Sequence, residues 1–200
     1  MEIMKATFFQ RTCAYIIDIL IVSIIFSLIT YNINLDKRNE LNDELTKFML
    51  DTQDVETYTE EQAQQLLDLQ YEIEKESVLV NGISIVVTIG YFIVFQFLNK
   101  GQTIGKKLLK IKVVSSEDKK VSLLQIILRS IIIYGIITGI FNIIVINILN
   151  KMLYLEVYSV FTIIQSTFII VSMLFILYRK DKRGLHDMMS KTYVICERGN

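Results

Sequence analysis

The chain has 200 residues, 21 basic and 21 acidic side chains, and a mean hydropathy of +0.43. One histidine, His186, and two cysteines, Cys13 and Cys196, are too few ligands for a metal site. Nothing in the composition implies a cofactor or a nucleic-acid partner. A composition that is 52% hydrophobic fits a soluble domain as well as a membrane protein, so the distribution has to decide.

The first apolar block is Cys13–Tyr31, preceded by Lys5 and Arg11 and carrying one acid, Asp18. Its length, its internal aspartate and the lack of a small-x-small site after it argue for a retained span rather than a signal peptide. No amino-terminal Met-Gly and no carboxy-terminal cysteine box suggest lipidation. Val78–Leu98, Ile131–Leu149 and Val157–Tyr178 follow, each without a charged residue. All four are about long enough to cross ~30 Å of hydrocarbon as helices. With no proline in the chain, only glycine and hydroxyl residues are candidates for bends.

Between the first two blocks, residues 32–77 carry 13 acids and 4 bases, a net charge of −9. Thr59 and Gln62 have the spacing of a capping box ahead of an apolar face of Leu66, Leu67, Leu69 and Ile73. Upstream, Leu41, Leu45, Phe48 and Met49 recur at helical intervals. Two amphipathic helices joined near 51–58 are expected to form a hairpin. Its acidity is read as a solvated surface in preference to a cation-gathering mouth.

Residues 99–130 hold 8 bases and 2 acids, and the tail after Tyr178 holds 6 bases and 3 acids. Lysine and arginine accumulate on the cytoplasmic side, so both ends and the middle connection are expected in the cytoplasm and 32–77 outside. Cys13 and Cys196 then lie in a reducing compartment, and no disulfide is expected.

The stretch Gly101-Gln102-Thr103-Ile104-Gly105-Lys106-Lys107 is not a phosphate loop: three residues separate the glycines and no Ser or Thr follows Lys106. Gly101 and Gly105 are read as a tight exit from the second span. Lys110–Val113 alternates as a strand, Ser115–Lys119 turns, and Val121 begins a short return, which makes a small β-hairpin. Ser122, with Gln125 three residues on, caps a helix Leu123–Arg129 expected at the interface.

Three blocks of this sequence resemble the RDD family of prokaryotic membrane proteins, named for one arginine and two aspartates. They are Arg11–Asp18; Gly101-Gln102-Thr103-Ile104-Gly105-Lys106 with the strand and the Arg129 helix after it; and Arg183-Gly184-Leu185-His186-Asp187 followed by Thr192-Tyr193-Val194. The 32–77 loop looks longer than the family needs, an insertion in a single domain of 1–200. The resemblance implies little about activity beyond ion or small-solute transport.

The expected fold is an all-α four-transmembrane-helix bundle in the cell membrane, with an extracytoplasmic helical hairpin and a small cytoplasmic β-hairpin. A charge network of Arg11, Asp18, Arg129 and Asp187 is expected at its inner end. Asp18, two turns deep on a short side chain, must face the bundle. Arg129 is its expected partner, leaving Arg11 for Asp187. These pairs would clamp the spans, the preferred reading, or Asp18 would be a transport carboxylate. His186 would ordinarily lie at the surface; beside Asp187 it is equally a pH-sensitive contact. Polar stripes at Asn81, Ser84, Thr88 and Tyr91, and at Thr162, Gln165, Ser166 and Ser172, are read as helix packing before a solute path, as are Gly135 and Gly139. Two functions stand: transport of a cation or small solute, in which a narrow four-span bundle would gain from forming a homo-oligomer, and a non-transporting scaffold that binds a partner through the hairpin or the basic face. No nucleophile–base set points to an enzyme.

Overall fold

A computed structural model describes residues 4–117 and 120–197. Three helices are long and apolar enough to cross a membrane: α1 (Phe8–Thr30), α4 (Val78–Leu98) and α8 (Lys151–Tyr178), of 23, 21 and 28 residues. Their surfaces show why they need lipid. Leu20, Ile24 and Leu28 of α1 and Val160, Ile163 and Ile164 of α8 are exposed, in rows that water would penalise and acyl chains would not.

The third apolar block differs from a single straight span. It is two helices, α6 (Leu123–Ile133) and α7 (Ile136–Ile148), bent by 64°. Gly135, at φ +69°, sits at the break in the left-handed region that a side chain would strain. Counted as one broken span, the pair completes a bundle of four. Gly135 is therefore a hinge rather than half of a packing pair. Gly139 does pack closely, and a methyl group there would come within 2.9 Å of Ile85.

Capping starts the helices where short polar residues precede apolar runs. Thr7 and Gln10 cap α1, Thr59 and Gln62 cap α3 (Glu60–Glu76), and Ser122 and Gln125 cap α6, each by reciprocal hydrogen bonds. Together α2 (Asp36–Asp51) and α3 form the expected hairpin. Phe48 packs on Tyr58, Lys37 pairs with Glu76, and Lys151 pairs with Asp68 to tie the hairpin to α8. Ser77 alone separates α3 from α4, so the hairpin stands directly on the bundle.

At the other end, α5 (Ile104–Leu108), α9 (Leu185–Met189) and two strands close the bundle beside the termini. The strand expected near Lys110 is β1 (Ile111–Ser115). Its partner is not the return at Val121 but β2 (Thr192–Cys196), antiparallel, with Val113 opposite Val194. Residues 120–122 offer one apolar side chain, whereas Thr192 and Val194 complete the buried face that Ile111 and Val113 begin. The amino-terminal segment joins them: Ala6 N donates to Val194 O at 2.9 Å, and Cys196 N donates to Met4 O at 2.9 Å. Part of the expected 115–119 turn, residues 118 and 119, lies outside the described residues. Beneath this layer Ala6, Ala14, Ile93, Ile111, Val113 and Ile126 form one core. Ile126 and Arg129 are buried, so one face of α6 packs on the bundle, while Leu123, Leu124 and Leu128 stay exposed on the other. Both cysteines are free thiols.

Candidate functional site

A buried cluster of charge lies at the termini end, assembled from residues far apart in the chain. Asp18 projects from α1 and is 1% exposed. Its Oδ1 accepts from the Tyr91 hydroxyl at 2.7 Å and from Gly105 N at 2.8 Å, and its Oδ2 accepts from Thr103 Oγ1 at 2.5 Å. These three donors replace the arginine expected there. Tyr91 belongs to a π-helical stretch of α4, Gly90–Phe95. Such a widened turn shifts register by one residue, and sequence periodicity does not show it. Gly105 is glycine for close approach, not for a turn: a Cβ there would fall 2.2 Å from Ala14 O and 2.8 Å from Asp18 Oδ1. Gly101 is the turn glycine, at φ +90°, with Val113 O where a side chain would go.

Arg129 lies instead against Asp187. Asp187 Oδ2 accepts from Arg11 NH1 at 2.5 Å and Gly184 N at 3.2 Å, and its Oδ1 is 3.3 Å from Arg129 NH2. Arg11 also donates to Lys182 O at 2.7 Å. Asp18 needs no guanidinium because neutral donors and a helix amide stabilise its charge. Asp187 has two guanidiniums because Arg11 from the first turn of α1 and Arg129 from within α6 both reach it. Burial alone would raise the Asp187 carboxyl, but His186, Arg129 and Arg11 carry it well below the ordinary carboxylate range.

His186 is buried, not superficial. Its Nδ1 is 2.7 Å from Ser172 Oγ and its Nε2 is 3.3 Å from Asp187 Oδ1. Burial lowers its pKa below the ordinary value against the pull of Asp187, so it is neutral at neutral pH. Lys106, on α5, is also buried. Its Nζ is 3.4 Å from each of Gln96 Oε1, Thr103 Oγ1 and Tyr134 OH. Burial, helped by Arg129 and opposed by Asp18 and Asp187, lowers its amine to about 7.

Two cavities meet in the bundle. One of about 180 Å³ lies in this cluster, lined by Arg11, Asp18, Lys106, Arg129 and His186 together with apolar residues such as Ile133 and Met173. The second, about 370 Å³, enters from the hairpin end between α4, α7 and α8. Asn81, Ser84, Thr88, Thr162, Gln165 and Ser166 line it, which gathers most of both polar stripes on one surface. Asn142 lies there too, donating to Glu74 Oε2 at 2.9 Å, while Asn147 turns to its own helix. Ser172 belongs to the first cavity, Tyr91 to Asp18. Tyr134 and Ile169 line both cavities. The Tyr134 ring stacks on Phe92 at 3.6 Å between centroids, one residue before the Gly135 break.

The three resembling blocks therefore converge. The second supplies Thr103 and Gly105 to the aspartate of the first, and the third supplies Asp187 to the first block's arginine. A model of the RDD family matches residues 5–191, nearly the whole chain. The chain belongs to the RDD family. No curated protein and no solved structure matches it. In this RDD protein Arg11, Asp18, Arg129 and Asp187 do share one cluster: the expected Arg11–Asp187 pair is present, and Arg129 joins it at Asp187 rather than pairing with Asp18. Sequence reasoning missed Tyr134 and Gln96. Gln96, fully buried at the end of α4, carried a signal as an amide in an apolar block; Tyr134, before a glycine, carried none.

Among the described residues no group of histidine, cysteine and acidic side chains has the arrangement of a metal site.

Proposed function

We propose that this RDD protein carries a small solute across the cell membrane, with both termini in the cytoplasm and the hairpin outside. The observation that supports it is that two cavities share the same two side chains, Ile169 and Tyr134, the latter at the hinge of the broken span. Polar stripes that served only packing would close on one another and hydrogen-bond across the helices, leaving no such space between them. Thr138 Oγ1 and Gln165 Oε1 add to the argument: both are buried at the vestibule without a hydrogen-bond partner in the protein, and buried polar groups are rarely left so unless water or solute visits them. A groove of about 800 Å³ between hairpin and α8 shares Glu74, Tyr158 and Thr162 with the vestibule and gives it an approach.

Catalysis is not proposed. Ser172, His186 and Asp187 stand in the order of a relay, but Ser172 lies inside α8, whose amides donate to the helix's own carbonyls. Asp187, moreover, is held by arginines rather than left to orient His186.

Purified protein in liposomes tests the reading through flux of small cations and small organic anions. Tyr134→Ala should raise flux without loss of the fold. A folded protein that moves none of these solutes sinks the reading and leaves the scaffold, with the acidic hairpin or basic face as its contact. Orientation is tested separately: an impermeant thiol reagent added outside cells should label Asp54→Cys and spare Lys120→Cys, and the reverse pattern would invert the topology.

A further inference from the structure

The described charges around the termini-side cavity are Arg11 and Asp18 from α1, Lys106 from α5, Arg129 from α6 and Asp187 from α9, with neutral His186. Both carboxylates have partners other than Lys106. Asp18 accepts three hydrogen bonds from Tyr91, Thr103 and Gly105, and Asp187 holds Arg11 and Arg129. Lys106 Nζ has no carboxylate oxygen within 4.0 Å among the described residues, only three neutral oxygens at 3.4 Å. With Lys106 protonated, three cations face two anions, so the cluster is one negative charge short in a place where uncompensated charge is expensive. The shortfall can be met in two ways: the amine gives up its proton, or an anion enters.

The cavity's shape favours one kind of anion. It has about 180 Å³, near the roughly 150 Å³ that suffices for a benzene ring in an apolar protein cavity. Its apolar wall includes Ile133, Ile169, Met173 and Ile176. We propose that this cavity binds a small monocarboxylate with an apolar body, of about the size of benzoate, its carboxylate between Lys106 and Arg129 and its body against that wall. This names a solute class for the transport reading and takes from that reading only that solute reaches the cavity.

Binding is coupled to the protonation of Lys106. The groups around its amine are Arg11 and Asp18 on α1, Gln96 on α4, Thr103 just before α5, Arg129 on α6, Tyr134 just after it, and His186 and Asp187 on α9. Of these, Asp187 is held ionised by the cations around it. The apparent affinity for a monocarboxylate therefore falls by up to about tenfold per pH unit once the amine has lost its proton, and the amine titrates near 7.

Equilibrium dialysis of radiolabelled benzoate against the full chain in phosphatidylcholine nanodiscs tests this, with benzylammonium as the isosteric cation. Saturable benzoate binding that weakens from pH 6.5 to 8.5, and none of benzylammonium, is expected. Lys106→Met should lose about tenfold or more in affinity and Lys106→Arg should keep most of it, since a charged hydrogen bond is removed only in the first. Ile169→Trp, which fills the cavity and leaves every charge, should lose binding as well, and serves alone should Lys106→Met fail to fold. Equal binding of benzylammonium, full affinity in Lys106→Met or in Ile169→Trp, or a flat pH profile overturns the proposal. So does loss of benzoate binding in phosphatidylglycerol nanodiscs, which would give the site to a lipid headgroup. Binding without flux sinks the transport reading alone; flux of other solutes without benzoate binding sinks this one alone.

Discussion

The vestibule beneath the hairpin and the cavity beside the termini share Tyr134 and Ile169, yet they are held together differently. Hydroxyls and amides line the first, with Glu74 at its mouth and two buried oxygens unpaired. Five charged side chains line or anchor the second: Asp18 accepts three hydrogen bonds and Asp187 faces two arginines, although Asp187 Oδ1 and Arg11 Nε make no hydrogen bond of their own. The difference is energetic. A hydroxyl left without a partner costs little if water reaches it, whereas an unpaired charge in the same place costs several kcal/mol. The charged cavity must therefore be rigid, and the vestibule is free to be wet. Lys106 is the exception on the rigid side, which is why it is the group most open to a ligand.

The comparison is broken most severely at Asp187. Asp187→Asn strands Arg11 and Arg129 together, and breaking a buried pair by removing one partner costs about 3–5 kcal/mol. Monodisperse yield and thermal stability in detergent should collapse, and Arg129→Gln in the same chain should restore part of the loss. If Asp18→Asn with Arg129→Gln showed that rescue instead, the pairing described here would be wrong.

Gly105→Ala should come next. Its methyl group meets backbone, Ala14 O, with no flexible side chain to give way, so α5 must move from α1 and loosen all three bonds to Asp18. About 1–3 kcal/mol of destabilisation is expected in thermal unfolding. Gly90→Ala, with nothing within 4 Å of the added methyl, should be close to neutral, and equal losses in the two variants would refute the close-approach argument.

The pH response separates Lys106 from its neighbours. Its amine titrates lower in the folded protein than in the unfolded chain. Between about pH 7 and its unfolded value the unfolded chain binds the extra proton, so stability rises with pH, by roughly 1.4 kcal/mol per unit at most. Below pH 7 that contribution is absent. His186 also has a lowered folded pKa, so its contribution is present above its ordinary value and is lost as pH falls through the folded one. Thermal scans of the wild type should therefore rise between pH 7 and 9, and scans of Lys106→Met should be flat there. A parallel rise in both would remove Lys106 as the cause.

The smallest effect belongs to the vestibule. Thr138→Val replaces a hydroxyl that has no partner in the protein with a group of the same shape, and stability should stay within about 0.5 kcal/mol. Flux is the quantity that should fall. A large stability loss would show the hydroxyl to be structural and return the polar stripes to helix packing.

Much of the architecture was legible in the chain. The four apolar blocks, the capped hairpin and the RDD blocks all rest on local signals: residue type, period, and a cap one turn from its partner. Asp18 was legible as inward-facing too, because a carboxylate two turns into a span has nowhere else to go. Partner choice was not. Arg129 and Arg11 are equivalent as charges in a sequence, and only the docking of α9 decided that both meet Asp187 while three neutral donors serve Asp18. The same holds for β1, which found β2 about eighty residues away rather than Val121, and for Gly105, whose reason is the backbone of Ala14. The bend at Gly135 and the widened turn at Tyr91 depend on what the neighbouring helices offer. Local free energies are set within a turn or two of chain, whereas pairing between charges, strands and close-packed backbones is set by distances that exist only once the helices are side by side.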